Sequence, residues 1–514
     1  MSTTERVAKN TGYLLVKMLF SMIASLIITR LLLNSLGISD YGVFNVVGGI
    51  IAMLGFLNAA MSQTTQRFMN YIEGEGNLEK IQTVFNISVI LHLIIAFIVG
   101  LLLEIAYFIF FNGLLNIPES RIFAAKFIYH CMVMSTMFTI MTVPYDSVLN
   151  AHENMLYYSI IGIIDVLLKL IIAIVVVYIM VDKLILFGIL TAIETIIIMI
   201  ITRIYCNRNY IECVFNPRVF FDKKIAKSIT KFASWNFLQT SVYLISGYGQ
   251  NILLNHFFGS MLNAAQGIVS QLNGQLQTLS SNMLKSLNPI IGKSAGANDK
   301  KMLEKSSILG AKFSALLFCI VAVPLYGVLP YALKLWLGII PEWTIIFMKL
   351  QLVKTFIDLL FTTLPGAIFA NGNIKGYTIF NAISNSIMLP LSYLFFKLGF
   401  PPYIMYINII VFSSFIGSIV NLYYVRKFSI LDISKFLKIT VLPIVMLVVS
   451  FILFEEFLSS FFEINSIIKF LGCAVFYVVL FVLSSYIFVC NRSEKEMLAI
   501  LYKNVSTKVL KKKA

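Results

Sequence analysis

Two couples of opposite charge sit inside apolar runs of the sequence. Asp165 and Lys169 are four residues apart in the run 156–181, and Lys354 and Asp358 are four apart in the run 343–370. On a helix each couple shares one face and can pair. Glu194 lies in the next run after the first couple. Counted from the turn at Asp182, Lys169 is about 13 residues back and Glu194 about 12 forward, so at 1.5 Å per residue they reach nearly the same depth. Ionisable groups in hydrocarbon carry ions, relay protons or bind charged ligands. A buried ion pair that only fixes helix register is the alternative for each couple. Asp165, Glu194 and Asp358 are the candidates for ion coupling. Pro365 and Gly366, seven residues beyond Asp358, read as a hinge.

A second set of cations is spread through the other runs. Lys17, Arg30, Arg67 and Lys285 lie near span ends, as do Lys126, Lys312 and Lys334. Snorkelling accounts for each one alone. With Lys169, the first four make a candidate site for an anionic group. Neutral hydrogen-bonding residues are dense in two consecutive runs, 231–258 and 262–292. They include Trp235, Asn236, Gln239, Tyr243, Tyr248, Gln250, Asn251, Gln266, Gln271, Asn273, Gln275 and Gln277. Ser21, Ser25, Asn58, Gln63 and Gln66 are first-half counterparts. So many polar residues on lipid-facing helices would be costly, so the pattern points to a polar cavity or to helix contacts.

His92 and His130, inside spans, read first as hydrogen-bonded packing residues. The six cysteines are scattered through apolar runs and read as packing residues too. No metal-ligand spacing, phosphate-binding glycine loop or Ser/His/Asp set occurs, so neither metal, cofactor nor catalytic residue is expected.

The elements that must position these residues are membrane helices. Of 514 residues, 59% are hydrophobic and only 12% charged. A water-soluble chain of this length could not cover that much apolar surface. Runs of about 20 apolar residues recur throughout, each long enough to cross the hydrocarbon. They predict about fourteen spans, near 11–35, 42–68, 83–111, 121–143, 156–181, 184–206, 231–258, 262–292, 306–333, 343–370, 376–396, 403–425, 435–457 and 466–490. The first run has no small-residue cleavage site, so no signal peptide is expected.

The net charge of +16 would suggest nucleic acid in a soluble protein. Here the cations collect in alternate loops: Arg6 and Lys9, then Arg208 to Lys227, Lys293 to Lys305, Arg426 and Lys427, and the tail from Arg492. That bias places both termini in the cytoplasm and makes nucleic acid an unneeded partner. The turn with Glu455, Glu456 and Glu463 falls outside. The other outer turns are too short for a catalytic domain.

The halves look repeated. LLLNSLG (31–37) is echoed by ILLNHFFG (252–259), and EGEGNLEK (73–80) by SAGANDKK (294–301), with the paired asparagines 221 positions apart. The fold class expected is an all-α polytopic membrane protein with a parallel 6+6 repeat. Its parts are an N-lobe of six spans (1–206), a basic cytoplasmic connector (207–230), a C-lobe of six spans (231–430), an added helix pair (431–490) and a basic tail (491–514).

The stretches RLLLNSLGISDYGVFNVVGGI (30–50), QRF (66–68) and VPYDSVLNAHENM (143–155) resemble bacterial polysaccharide-export flippases of the Wzx type. These are members of the multidrug/oligosaccharidyl-lipid/polysaccharide exporter superfamily, and the similarity spans the whole chain. The resemblance implies two six-helix lobes around an alternately opening cavity in the bacterial inner membrane. It implies an undecaprenyl-pyrophosphate-linked oligosaccharide as substrate, in contact with membrane lipid, for O-antigen, capsule or exopolysaccharide synthesis. A polysaccharide polymerase and a chain-length regulator are the implied partners. The cations would then hold the pyrophosphate. Gln63, Asn236, Gln239, Tyr243, Gln250, Asn251, Gln271 and Asn273 would contact sugar. The alternatives are a cation-coupled multidrug antiporter of the same fold, for which Asp165 and Glu194 could supply an acidic cavity, and a membrane polymerase or acyltransferase.

Overall fold

Backbone groups in hydrocarbon have no water to pair with, so a chain this apolar closes its hydrogen bonds within helices. The computed structural model describes residues 3–53, 55–111, 119–179, 181–258, 260–337, 340–459, 465–492 and 494–496. No strand occurs among them. Gly259, Glu463 and the tail from 497 lie outside the described residues.

The helices run in order: α1 (Thr3–Met53), α2 (Gly55–Glu75), α3 (Leu78–Ile109), α4 (Ile122–Ala151), α5 (Met155–Tyr178), α6 (Lys183–Asn209), α7 (Lys223–Phe258), α8 (Ser260–Gly296) and α9 (Lys300–Leu337). They continue with α10 (Thr344–Leu360), α11 (Thr363–Asn371), α12 (Lys375–Lys397), α13 (Ile404–Ile409), α14 (Ile416–Lys427), α15 (Ile433–Phe436), α16 (Leu442–Ser459) and α17 (Ile467–Ser484).

Among the described residues ten helical segments are long and apolar enough to cross a membrane, or eleven if α10 and α11 form one bent span. The sequence predicts about fourteen. The difference falls on the expected spans 42–68, 231–258 and 262–292. These coincide with the end of α1 and α2, with α7 and with α8, where Gln, Asn and Ser replace aliphatic residues.

The break between the expected spans 11–35 and 42–68 falls at Gly37, whose φ of 76°, a conformation suited to glycine, interrupts α1. Two other expectations change in detail. The break after Asp358 lies at residues 361–362, with a 40° bend, and not at Pro365. Pro365 falls in the first turn of α11, where its missing N–H costs little. Finally, α4 continues through Pro144 to Ala151 rather than ending near 143.

The chain divides into two compact units, Asn10–Thr240 and Ser241–Ala514 together with Met1–Lys9. In the N-terminal unit, Leu32, Val47, Val99, Leu103, Ile128, Tyr129 and Val133 form one buried core. Gly100 and Gly188 let Met137 and Ile128 approach the backbone closely, as small residues do in membrane bundles. In the C-terminal unit, α9 is the central helix. Phe318, Phe347 and Tyr406 share its core with Phe451, Tyr477 and Phe481 of α16 and α17, so the last helix pair is packed into this unit. A fully buried ion pair, Lys312 Nζ to Glu494 Oε2 at 2.7 Å, fastens the segment after α17 to α9. Breaking such a pair from one side strands a buried charge.

The turns after α2 and after α8 have like backbone geometry. Gly76 has a left-handed φ of 70°, and Asn77 then caps α3 by accepting from Lys80 N. Asn298 has φ 56°, and Asp299 accepts from Met302 N at the start of α9. The matching roles are 298 with 76 and 299 with 77, so these turns correspond at 222 positions rather than 221.

One polar clamp ties three segments of the N-terminal unit. Arg121, just before α4, donates through Nε to Asp40 at 2.6 Å and through Nη1 to Asp182 at 2.7 Å. Asp182 also caps α6 by accepting from Leu184 N and Ile185 N. The Arg121 hydrogen bond, foremost, holds the Asp182 carboxyl below the usual carboxylate range. A depressed carboxyl contributes stability above its unfolded-state pKa and loses it as pH falls through the folded value. Thermal unfolding in detergent should therefore show wild type losing stability below about pH 4, and Arg121→Gln already lower at neutral pH by about 1 kcal/mol. Identical pH curves for the two proteins would rule the clamp out.

Candidate functional site

The N-terminal unit encloses a cavity of about 500 Å³ bounded by α1, α2, α4, α5 and α6. Lys169 and Glu194 both line it, as the depth count predicts. Lys169 Nζ donates to both Asp165 oxygens, at 2.8 and 2.9 Å, and its side chain stays 45% exposed. Glu194 is buried: Oε2 lies 3.4 Å from Thr195 Oγ1, and Oε1 has no hydrogen bond. Asp165 lies close enough to Glu194 for the two carboxyls to interact. Two carboxyls can hydrogen-bond only when one keeps a proton, so this trio is a natural place for a proton or a cation.

The rest of the lining is largely neutral. Ser135, Thr136, Thr139, Thr191 and Thr195 present hydroxyl oxygens to the cavity while donating to carbonyls of their own helices. Ser25 and Asn58 complete the polar rim. Of these, the sequence pointed to Ser25 and Asn58. The threonines were missed, although their three- and four-residue spacing on α4 and α6 is the signal that could have found them.

The C-terminal unit has a smaller cavity of about 280 Å³ lined by Tyr243, Tyr248, Gln250, Asn251, Gln266, Gln351 and Lys354. Lys354 Nζ pairs with Asp358 Oδ2 at 2.8 Å and is mostly buried. Gln250 donates to Met388 O at 3.1 Å and Ser246 to Asn385 O at 2.8 Å, which fix α7 against α12. Tyr406 hydroxyl is bonded to Gln266. Lys354 and Gln351 join the expected residues here.

The remaining candidates fall elsewhere. Lys17 lies in the notch of Gly162 with its ammonium 4.4 Å from the centre of the Tyr158 ring, outside the N-terminal cavity lining. Arg67 is stacked among Phe68, Tyr71 and Phe232. Arg30, Gln63 and Gln271 are exposed, and Lys285 is half-buried with a partner of its own. Of the five expected cations only Lys169 lines the N-terminal cavity, because aromatic faces claim Lys17 and Arg67. Asn236 gives its amide to Ala60 O at 2.7 Å, and Asn273 accepts from Thr355 at 2.8 Å; both serve helix contacts. Gln239 is half-buried, with Oε1 unpartnered. His92 bonds Ser88 O at 2.8 Å as a packing residue. Cys206 and Cys213, apart in sequence, lie side by side at the end of α6.

No family model and no curated protein matches the sequence. Solved structures do match in fold. A multidrug resistance MATE family transporter of the MOP superfamily, in an outward-facing conformation, superposes with TM-score 0.69 at 13% identity over 84% of this chain and 96% of that one. A MOP superfamily transporter from Pyrococcus furiosus, described as having a binding pocket of reverse polarity, gives 0.67 at 14% identity over 85% and 97%. The Vibrio cholerae MATE transporter VcmN in the bent form gives 0.65 at 17% over 83% and 98%. The fold of this chain is the MATE-like fold.

A wet N-terminal cavity makes its threonines accessible. On a background without native cysteines, Thr139→Cys and Thr191→Cys should react with a membrane-impermeant maleimide in detergent at least about ten-fold faster than Val176→Cys, which is fully buried. Equal rates would mean that the cavity is closed to water.

Proposed function

We propose that this protein is a transporter, not an enzyme, and that it flips undecaprenyl-pyrophosphate-linked oligosaccharide across the bacterial inner membrane by alternating access. The observation that carries this reading is the chemistry of the two cavities. Each offers neutral hydroxyl, amide or phenol groups beside one lysine held in an ion pair. A sugar repeat carries about a dozen hydroxyls, and each costs several kcal/mol to bury unpaired in hydrocarbon. Threonines, glutamines and tyrosines replace that lost water. The polyprenyl tail stays in lipid.

Lys169 and Lys354 are the cations proposed to meet the pyrophosphate, each released from its aspartate as the anion arrives. Lys17, Arg30, Arg67 and Lys285 remain proposals for its approach route. The spans 42–68, 231–258 and 262–292 complete the fourteen in this reading, their polar faces turned from lipid. Both termini are cytoplasmic, so an inside-negative potential favours outward movement of the anion by roughly 2.3 kcal/mol per charge per 100 mV. A polymerase and a chain-length regulator would act on the product.

One observation favours a second reading. The contact between the Asp165 and Glu194 carboxyls suits a cation-coupled multidrug antiporter. In the flippase the same pair, with Asp358, would reset the carrier by taking up a proton or sodium.

Deleting the gene discriminates the two. The flippase reading predicts loss of surface polysaccharide and accumulation of lipid-linked repeat units, restored by the wild-type gene and reduced about ten-fold by Lys169→Gln with Lys354→Gln. Unchanged polysaccharide with new drug sensitivity would overturn it.

A further inference from the structure

The turn between α4 and α5 holds a side-chain cluster for which the transport reading has no use. His152, the residue that ends α4, stacks on Tyr210 with ring centres 4.3 Å apart and planes 16° apart. Its Nδ1 is 3.4 Å from Glu73 Oε1, and its Nε2 is paired with Glu212 Oε1. Glu73 comes from the last turn of α2, and Glu212 from the short turn Ile211–Cys213 that follows α6. One ring therefore joins three separate parts of the N-terminal unit.

The surrounding residues are placed to hold that ring. Asn154 caps α5 at Tyr157 N and gives its amide to the hydroxyls of Tyr205 and Tyr210, both at 2.9 Å. Glu153 takes a left-handed φ of 56°, and its carbonyl accepts from Asn10 at 3.1 Å. Glu212 is 5% exposed and Glu73 20%, so water competes weakly for the carboxylates.

Proton counting makes the arrangement informative. An ionised carboxylate only accepts hydrogen bonds, so a ring with a carboxylate oxygen at each nitrogen needs a proton on both. A neutral ring satisfies one of the two. The neighbours do not supply that charge. Burial pushes the Tyr210 phenol up to about 12, and the adjoining Cys206 raises the Cys213 thiol, so both stay neutral. The carboxylates at the ring are Glu73 from α2 and Glu212 from the segment after α6, and Glu153 is its neighbour in the chain. Glu73 and Glu153 also make further contacts.

We propose that Glu73, His152 and Glu212 form a proton-operated clasp: the imidazolium binds the ends of α2, α4 and α6 together, and loss of its proton releases one carboxylate. The clasp is shut while the ring carries both protons and opens when rising pH removes one. It is independent of the substrate, so it stands whether the chain moves a lipid-linked sugar or a drug.

Hydrogen exchange on the full-length protein in lipid nanodiscs tests it, with rates corrected for intrinsic pH dependence. Peptides covering 70–78 and 209–216 should be about five-fold better protected at about pH 6 than at about pH 8. His152→Lys, a permanent cation, should keep them protected at both. Glu212→Gln should flatten the contrast without a permanent gain. Equal protection of wild type at the two pH values overturns the clasp, and so does an unchanged contrast in Glu212→Gln. Wild type and Glu212→Gln decide the matter even where His152→Lys fails to fold.

Discussion

A charge that stays inside a membrane bundle must be matched there, and this chain matches two of its deep lysines with aspartates four residues away on the same helix. Asp165 with Lys169 and Lys354 with Asp358 each neutralise locally, so neither α5 nor α10 depends on a distant partner to insert. Both lysines then face a cavity rather than lipid. The pairing allows a polar interior to exist at all, and the hydroxyls, amides and phenols around it add hydrogen-bonding capacity without adding charge. Glu194 is one exception, a buried carboxyl beside an already paired one, and Glu455 on α16, buried with neither oxygen hydrogen-bonded, is another.

The connections at the helix ends follow a related logic. Arg121 gathers Asp40 and Asp182, His152 gathers Glu73 and Glu212, and Lys312 holds Glu494. Each ties segments far apart in sequence. The interiors are held by close packing, as at Gly100 and Gly188, and the ends by ions.

Much of this was legible in the sequence. Hydropathy gave helices throughout, period and depth counting brought Lys169 level with Glu194, and the Asn77 and Asn298 echo marked two turns of like geometry. The depth count works because an α-helix has a fixed rise, so residue numbers convert directly to distance. What the sequence hid depends on side-chain direction. Nothing in the spacing shows that Lys17 lies in the notch of Gly162 against Tyr158, or that Arg67 is stacked among three rings. Asn236 and Asn273 looked like cavity residues because composition cannot separate a polar group facing a ligand from one facing a neighbouring carbonyl. Cys206 and Cys213 became neighbours only when the turn after α6 folded back. The exact repeat offset was hidden too, since left-handed geometry falls to Gly76 in one half and Asn298 in the other.

The central claim is that the polar cavities serve a sugar headgroup on a lipid carrier. The most direct measurement reconstitutes the purified protein into liposomes holding a fluorescent oligosaccharide linked through pyrophosphate to a polyprenol. Quenching by a membrane-impermeant reductant then reports how fast the headgroup crosses. The account predicts crossing at least about ten-fold faster than in protein-free liposomes, and slower with Lys169→Gln and Lys354→Gln together. Crossing at the protein-free rate, with proton-driven uptake of cationic drugs by the same liposomes, would contradict it.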